Sequence, residues 1–217
     1  MKLINNSIDH YLDKFKLKDP WDIVELFEKK VSSYLGSKYA ISVDCCTHGI
    51  FLCLKFINSK EKILIPENTY ISIPNVVSMA GYNFEFAKIK WDGDYFLKPL
   101  NIIDSACKFT KNMYQKNTLT CLSFHHRKII PIGRGGMILT DDINAYEWLK
   151  MARYDGRHLD RKYDEDNFEM MGYHMYMTPE QACIGIEKLE DFHDENLSIG
   201  SSNTYKNLSK YRSLFKL

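Results

Sequence analysis

No segment of the sequence approaches the roughly 20 consecutive apolar residues that a bilayer-spanning helix requires, and the N-terminal MKLINNSIDHYLDKFK lacks an apolar core of signal-peptide length. Neither a membrane anchor nor a secretory route is expected, and the chain reads as soluble and cytoplasmic. An excess of charge of one sign is also missing. The 29 basic and 28 acidic side chains leave a formal charge of +1, whereas binding to a phosphate backbone normally shows as a basic excess or stripe. The short basic run at Arg153, Arg157, Arg161 and Lys162 is diluted by Asp155, Asp160 and Asp164, which suits a solvated face or an anionic-substrate contact rather than nucleic acid. The cysteines at 45, 46, 53, 107, 121 and 183 form neither a paired zinc-knuckle spacing nor a dense disulfide framework. They read as reduced thiols packed as small hydrophobes, and no metal is expected. No internal repeat is present, and no Gly-x-Gly-x-x-Gly follows any strand, which disfavours a dinucleotide-binding dehydrogenase.

What remains is an ordinary globular composition: 217 residues, 45% of them hydrophobic, enough for one sizeable domain. A helix opens at Asp19-Pro20, a capping acid followed by a proline suited to the first turn, carries Trp21, Val24, Phe27 and Val31 at helical spacing, and ends at Gly36. Tyr39 to Val43 is a short buried strand, followed by a polar turn and a helical run from Ile50 to Ile57. Further strands are expected at Lys62 to Ile65, Asn83 to Ile89, Asn101 to Ile103, Leu119 to Phe124 and Gly136 to Thr140. Helices are expected over Tyr70 to Met79, from Asp141-Asp142 to Arg153, and after the capping box Thr178-Pro-Glu-Gln181. Residues 154–171 read as a long exposed loop. Strands alternating with helices argue for an α/β protein with a largely parallel sheet.

Several segments, in order, carry chemistry. They are Tyr34-Leu-Gly-Ser-Lys-Tyr-Ala-Ile41 followed by Cys45-Cys46-Thr47, then Thr69-Tyr70, then Ile103-Asp104-Ser105-Ala106. Ser123-Phe-His-His-Arg-Lys128 comes five residues ahead of the turn Gly133-Arg-Gly-Gly136, and Tyr154-Asp-Gly-Arg157 and Gly172-Tyr-His-Met-Tyr-Met-Thr178 complete the series. Taken alone, each has an ordinary structural reading: Lys128 as a snorkelling side chain, Asp104 as a turn cap, Thr47 as an N-cap, Tyr70 as a half-buried aromatic. Taken together, over roughly residues 19–195, they resemble the DegT/DnrJ/EryC1/StrS family of sugar aminotransferases.

The resemblance implies the large domain of a fold type I pyridoxal 5'-phosphate-dependent transferase. That is an α/β/α sandwich with a mostly parallel sheet, one antiparallel strand supplied by 136–140, and no C-terminal small domain. Residues 90–103, only 14 in number, replace a longer family segment containing a strand and a helix. Residues 1–195 are then the cofactor domain and 196–217 a tail or short helix. By the same resemblance Lys128 holds the cofactor covalently and later shuttles the proton, and Asp104 pairs with the pyridinium nitrogen. Thr47, at a helix N-terminus, and Ser123 donate to the phosphate, and Tyr70 stacks on the ring. The chain departs from the family at Cys46, where glycine is favoured, and at Cys107, where Gln or His helps hold the cofactor. His174 and Tyr176 stand where Asn and Arg are common, the Asn usually reaching the phosphate of a neighbouring subunit. The implied reaction moves an amino group from an amino acid, glutamate foremost, to a nucleotide-linked keto sugar, in a homodimer. Arg153, Arg157 and the 154–171 loop are expected to meet the nucleotide's phosphates. Two alternatives stay open. One is a cofactor-dependent sugar dehydratase with His in place of the lysine, although His126 misses the required spacing by two residues. The other is a non-catalytic remnant that binds a sugar or a partner protein.

Overall fold

A computed structural model describes residues 2–193 and 198–215 of the chain. After a first helix, α1 (Lys2–Phe15), the second, α2 (Pro20–Leu35), begins where Asp19 accepts from the Trp21 amide and Asp22 reaches back to the Asp19 amide. It ends at Gly36, whose φ of 85° is a left-handed conformation that glycine adopts without strain. There follow β1 (Tyr39–Val43), α3 (Cys46–Ile57), β2 (Ile63–Pro66), α4 (Ser72–Met79), β3 (Phe84–Ala87), β4 (Tyr95–Phe96), β5 (Ile102–Asp104), β6 (Leu119–Ser123), β7 (Gly136–Thr140), α5 (Ile143–Ala152) and α6 (Pro179–Glu190).

The main sheet has the order β1-β7-β6-β5-β4. β5 and β6 pair in parallel, and β7, as the family resemblance implies, runs antiparallel between β6 and β1. β1, β5 and β6 therefore all point the same way. The parallel pair β2-β3 continues beyond β4 through one backbone bridge, Leu64 to Lys98, with a 2.7 Å hydrogen bond. Side-chain alternation explains the layering. Met137 and Leu139 of β7 join Ala40 and Leu122 in an apolar cluster with Val24, Phe27 and Ile186 of α2 and α6; Ile138, Ile41 and Cys121 face the opposite cluster with Ile50, Val76 and Leu149 of α3, α4 and α5. Both faces of the sheet are covered, which is the α/β/α sandwich expected.

β1 is an edge strand, and its open side is closed by a buried ion pair. Glu28 of α2 accepts from the Ser42 amide and hydroxyl, both at 2.8 Å, while Arg153 donates to Glu28 and to the Ser42 carbonyl at 2.6 Å. Arg153 is 2% exposed, so it is committed to the edge of the sheet and is not free to meet a substrate phosphate. Its sequence setting, in a run of basic residues that reads as a solvated face, hid this, because the partner that buries it lies 125 residues away.

Two elements differ from the sequence expectation. α1 is a full helix held by tertiary contacts, with Tyr11 buried and stacked on Phe15 and Lys14 3.1 Å from Glu190. β4 is a two-residue strand formed where the chain turns at Asp92–Asp94 and lays Tyr95 opposite Asp104. The segment from 198 to 208 returns to the same region. Gly93 donates to the Gly200 carbonyl, Ile199 to that of Cys107 and Leu208 to that of Glu67.

Candidate active site

Because β1, β5 and β6 run together, their carboxyl ends meet at one edge of the sheet, the edge where ligands of such folds sit. Val43, Gly136 and Ser123 lie in one row across β1, β7 and β6, and Asp104 ends β5 opposite Cys121. Gly136 is a steric requirement: a Cβ there would lie 2.5 Å from the Cys46 amide nitrogen and 2.6 Å from the Cys45 carbonyl carbon. The glycine turn thus admits the N-terminus of α3 to the end of the sheet. Cys45, at the N-cap, makes no side-chain capping bond, so no side-chain oxygen of the cap residue competes for the first amides of the helix.

Asp104 is the buried acid of the site, 5% exposed. Tyr95 donates to its Oδ2 at 2.6 Å, the Ala106 amide donates to Oδ1 at 3.0 Å, and the Cys46 thiol stands 4.0 Å from Oδ1. Burial pushes the acid above the usual carboxylate range, against the pull of those two hydrogen bonds and of the Lys128 ammonium. Burial and then the Asp104 charge push the Cys46 thiol up, so it stands in the site as a neutral thiol. Lys128, on the turn between β6 and β7, is half-buried with Nζ 3.4 Å from Cys107 Sγ, and Cys107 in turn lies 3.4 Å from the Tyr205 hydroxyl. His126, two residues earlier, is exposed.

The structure therefore brings Lys128, Asp104, Cys46 and Cys107 into one cluster. Thr47 sits in the first turn of α3 and donates to Ser72 Oγ at 3.0 Å, which ties α4 to the site. Ser123 ends β6 beside Gly136, with the His125 amide 3.5 Å from its hydroxyl. Tyr70 is 60% exposed, its ring 6.5 Å from that of Tyr205. His174 stands apart within the chain: it bridges to Tyr154 and bonds Asp155 at 2.9 Å, with a largely exposed side chain. Tyr95 and Tyr205 are site residues the sequence did not single out, since neither belongs to a motif. The one available signal was the density of aromatics, Trp91, Tyr95 and Phe96, in so short a link. An open cavity of about 720 Å³ lies elsewhere, between α2, α5 and residues 154–160, and is lined by Trp21, Lys150, Tyr154, Arg157 and Tyr176.

Beside the N-terminus of α3, Asp44 joins His48 at 2.6 Å and Arg134 at 2.7 Å. Asp44, Cys45 and His48 hold their potential ligand atoms within 4.8 Å of one another, but both Asp44 oxygens are occupied by cationic partners, which makes this a charge network. The bond to Asp44 raises His48 from 6.5 to about 10. A raised folded-state value stabilises fully below the unfolded value and is lost as pH climbs through the folded one. The thermal midpoint of the wild type is thus expected to fall between pH 7 and 10, and His48→Gln to flatten that slope. Identical slopes in parallel melting curves would rule the pair out as its source.

The donor set tests well against the group that the fold family carries. A half-buried amine, a buried carboxylate held by neutral donors, a helix N-terminus without a capping side chain, and hydroxyls at Thr47 and Ser123 match the needs of pyridoxal phosphate at its aldehyde, ring nitrogen and phosphate. In its fold the chain is like the large domain of the pyridoxal-phosphate-dependent transferases of fold type I.

The chain belongs to the DegT/DnrJ/EryC1/StrS aminotransferase family, whose model matches residues 2–115 and 103–205. Among its relatives is the GDP-perosamine synthase of Caulobacter vibrioides, 28% identical over 220 residues, covering 81% of this chain and 58% of that protein. Among solved structures, the Helicobacter pylori aminotransferase PseC, involved in pseudoaminic acid biosynthesis, superposes with a TM-score of 0.65 at 21% identity, covering 78% of this chain and 57% of that one. A GDP-4-keto-6-deoxymannose-3-dehydratase with bound GDP-perosamine gives 0.67 at 19% identity, covering 88% and 66%. The chain spans just over half the length of the curated relatives it matches. Among the described residues no helix is long and apolar enough to cross a membrane.

Proposed function

We propose that the chain binds pyridoxal phosphate through Lys128 and transfers an amino group from an amino acid, glutamate foremost, to a keto sugar linked to a nucleotide. The observation that carries this is the convergence of a half-buried lysine and a buried, hydrogen-bonded aspartate at the N-terminus of α3. When bound, the cofactor supplies an electron sink. The chain's own part is to hold it and to move protons. Asp104 would pair with the ring nitrogen, and the free amides of α3 with Thr47 and Ser123 would hold the phosphate. Tyr70 would lie against the ring, and Lys128 Nζ would take up the proton that leaves the substrate carbon and hand it on to the cofactor-side carbon. Cys107 stands where it touches Lys128, in place of a larger polar side chain.

The sugar comes to this reading from the named relatives, and the donor from chemistry, since nitrogen must be loaded before any ketone can receive it. Arg157, over the rings of Tyr154 and Tyr163 at 5.5 and 4.9 Å and 3.9 Å from Asp166, would be the arginine to meet the nucleotide's phosphates now that Arg153 is committed elsewhere. The exposed His174 and the 172–178 segment suit a homodimer in which this segment meets the partner's phosphate site. Six free cysteines suit a reducing cytoplasm.

The test is the donor half-reaction. Glutamate added to the yellow, cofactor-loaded chain is expected to bleach the visible band in one turnover, and a nucleotide-linked keto sugar to restore it. Sedimentation of the same preparation is expected to show a dimer. An unchanged spectrum with glutamate and glutamine, while cofactor stays on Lys128, would leave the remnant or the dehydratase. The lysine at this position, with His126 exposed, speaks against the latter.

A further inference from the structure

The link from 90 to 103 does more than shorten the chain. Its turn at Asp92–Asp94 directs Tyr95 onto the edge of β5, and the antiparallel register sets Tyr95 directly opposite Asp104. The Tyr95 ring is 6% exposed and packs 4.9 Å from Trp91, whose indole is fixed by the Asn68 carbonyl at 2.9 Å. The hydroxyl of Tyr95 has two neighbours at 2.6 Å, Asp104 Oδ2 and Thr69 Oγ1. A phenol has one hydrogen, and an ionised carboxylate can only accept, so the hydrogen goes to Asp104 and Thr69 donates in turn to the Tyr95 oxygen. The bonds form a directed chain from Thr69 to Tyr95 to Asp104, with the short distance typical of a charge-assisted O–H donor.

We propose that Tyr95, oriented by Thr69, is a positioning residue for the cofactor. It fixes the plane of the Asp104 carboxyl and keeps it an anion, so that a buried acid can serve as counter-ion to a protonated ring nitrogen. This rests on the reading of Asp104 given above. It assigns to the short link a function of its own: the link supplies a donor to the acid that burial would otherwise neutralise.

The experiment reads Asp104 itself. Carboxyl-¹³C aspartate labelling of the cofactor-free full chain gives the titration midpoint of Asp104, assigned by its loss in Asp104→Asn. The other groups facing the carboxyl are Lys128 on the β6–β7 turn, Cys46 on α3, Cys121 on β6, Asp94 ahead of β4 and Tyr205 of the C-terminal segment. All remain in place in the variants. Tyr95→Phe is expected to raise the midpoint by about one unit or more, about tenfold in proton affinity. Thr69→Val, which leaves the Tyr95 proton on Asp104, is expected to raise it by less. An unmoved midpoint in a folded Tyr95→Phe overturns the proposal. If that variant does not fold, an unmoved midpoint in Thr69→Val overturns it. In the loaded chain the pH dependence of the cofactor's absorption should move with Asp104. A midpoint that moves while borohydride finds no cofactor on Lys128 supports the hydrogen-bond chain and overturns the cofactor reading alone.

Discussion

Lys128→Ala is expected to lose covalent retention of pyridoxal phosphate altogether and to lower turnover by about 10³-fold or more, since it removes both the proposed attachment point and the proposed proton carrier. Lys128 lies on a turn and is only half-buried, so the fold should survive and the melting curve should change little. The measurement is borohydride reduction followed by peptide mapping: in the wild type the label falls on the peptide holding Lys128, and in the variant on none. Lys128→Arg keeps a charge near Cys107 but forms no such bond, and is expected to behave like alanine. A label on another lysine, or turnover within tenfold of wild type in Lys128→Ala, would move the chemistry elsewhere.

The second large effect concerns stability. Glu28→Ala should destabilise the chain by about 3–5 kcal/mol, because it strands the buried Arg153 charge and leaves the Ser42 amide without its acceptor. Against a typical domain stability of about 5–15 kcal/mol, that is a large share of the total. Glu28→Gln retains an acceptor for Ser42 and should cost less. The pair Glu28→Leu with Arg153→Met, which removes both charges, should recover part of the loss. Denaturant midpoints measure all three. A loss under about 1 kcal/mol for Glu28→Ala would mean that water reaches the strand edge.

The parts of the fold that were legible share a cause, which is that their determinants are local. Asp19, Pro20 and Gly36 bound α2 by bonds within a few residues, and Thr178 with Gln181 does the same for α6. β1 and β7 were readable because a strand buried on both faces is a nearly continuous apolar run, broken in β1 only at Ser42 and ending in β7 at Thr140. α1 was not, because its stability comes from Tyr11 and Lys14 meeting α6, some 175 residues away. β4 is too short to carry a period. In the site, the lysine, the aspartate and the glycine turn stood in motifs, and the chain brings them to one edge. Cys46 and Cys107, legible as departures from the family pattern, proved to touch Asp104 and Lys128. Tyr95 and Tyr205 reach the site only through the antiparallel pairing of β4 with β5 and the returning 198–208 segment. Those are products of tertiary packing, and no pattern of spacing announces them. Arg153 shows the reverse failure, a residue whose neighbours in sequence suggested the surface and whose neighbours in space bury it.

The placement of β7 between β6 and β1 also bears on how the molecule is made. Among the described residues β1 pairs only with β7, Tyr39 opposite Thr140, so on the ribosome it must wait until about a hundred further residues have emerged, roughly 5–20 s at ordinary elongation rates. During that interval an apolar strand has no partner, and α2, already complete, is the nascent chain's means of covering it through Glu28 and Ser42. The turn that carries Lys128 lies just ahead of β7. The amine thus reaches its place only as the last strand of the sheet slots in, and the proposed attachment of the vitamin-derived group to Lys128 requires that strand to be in place.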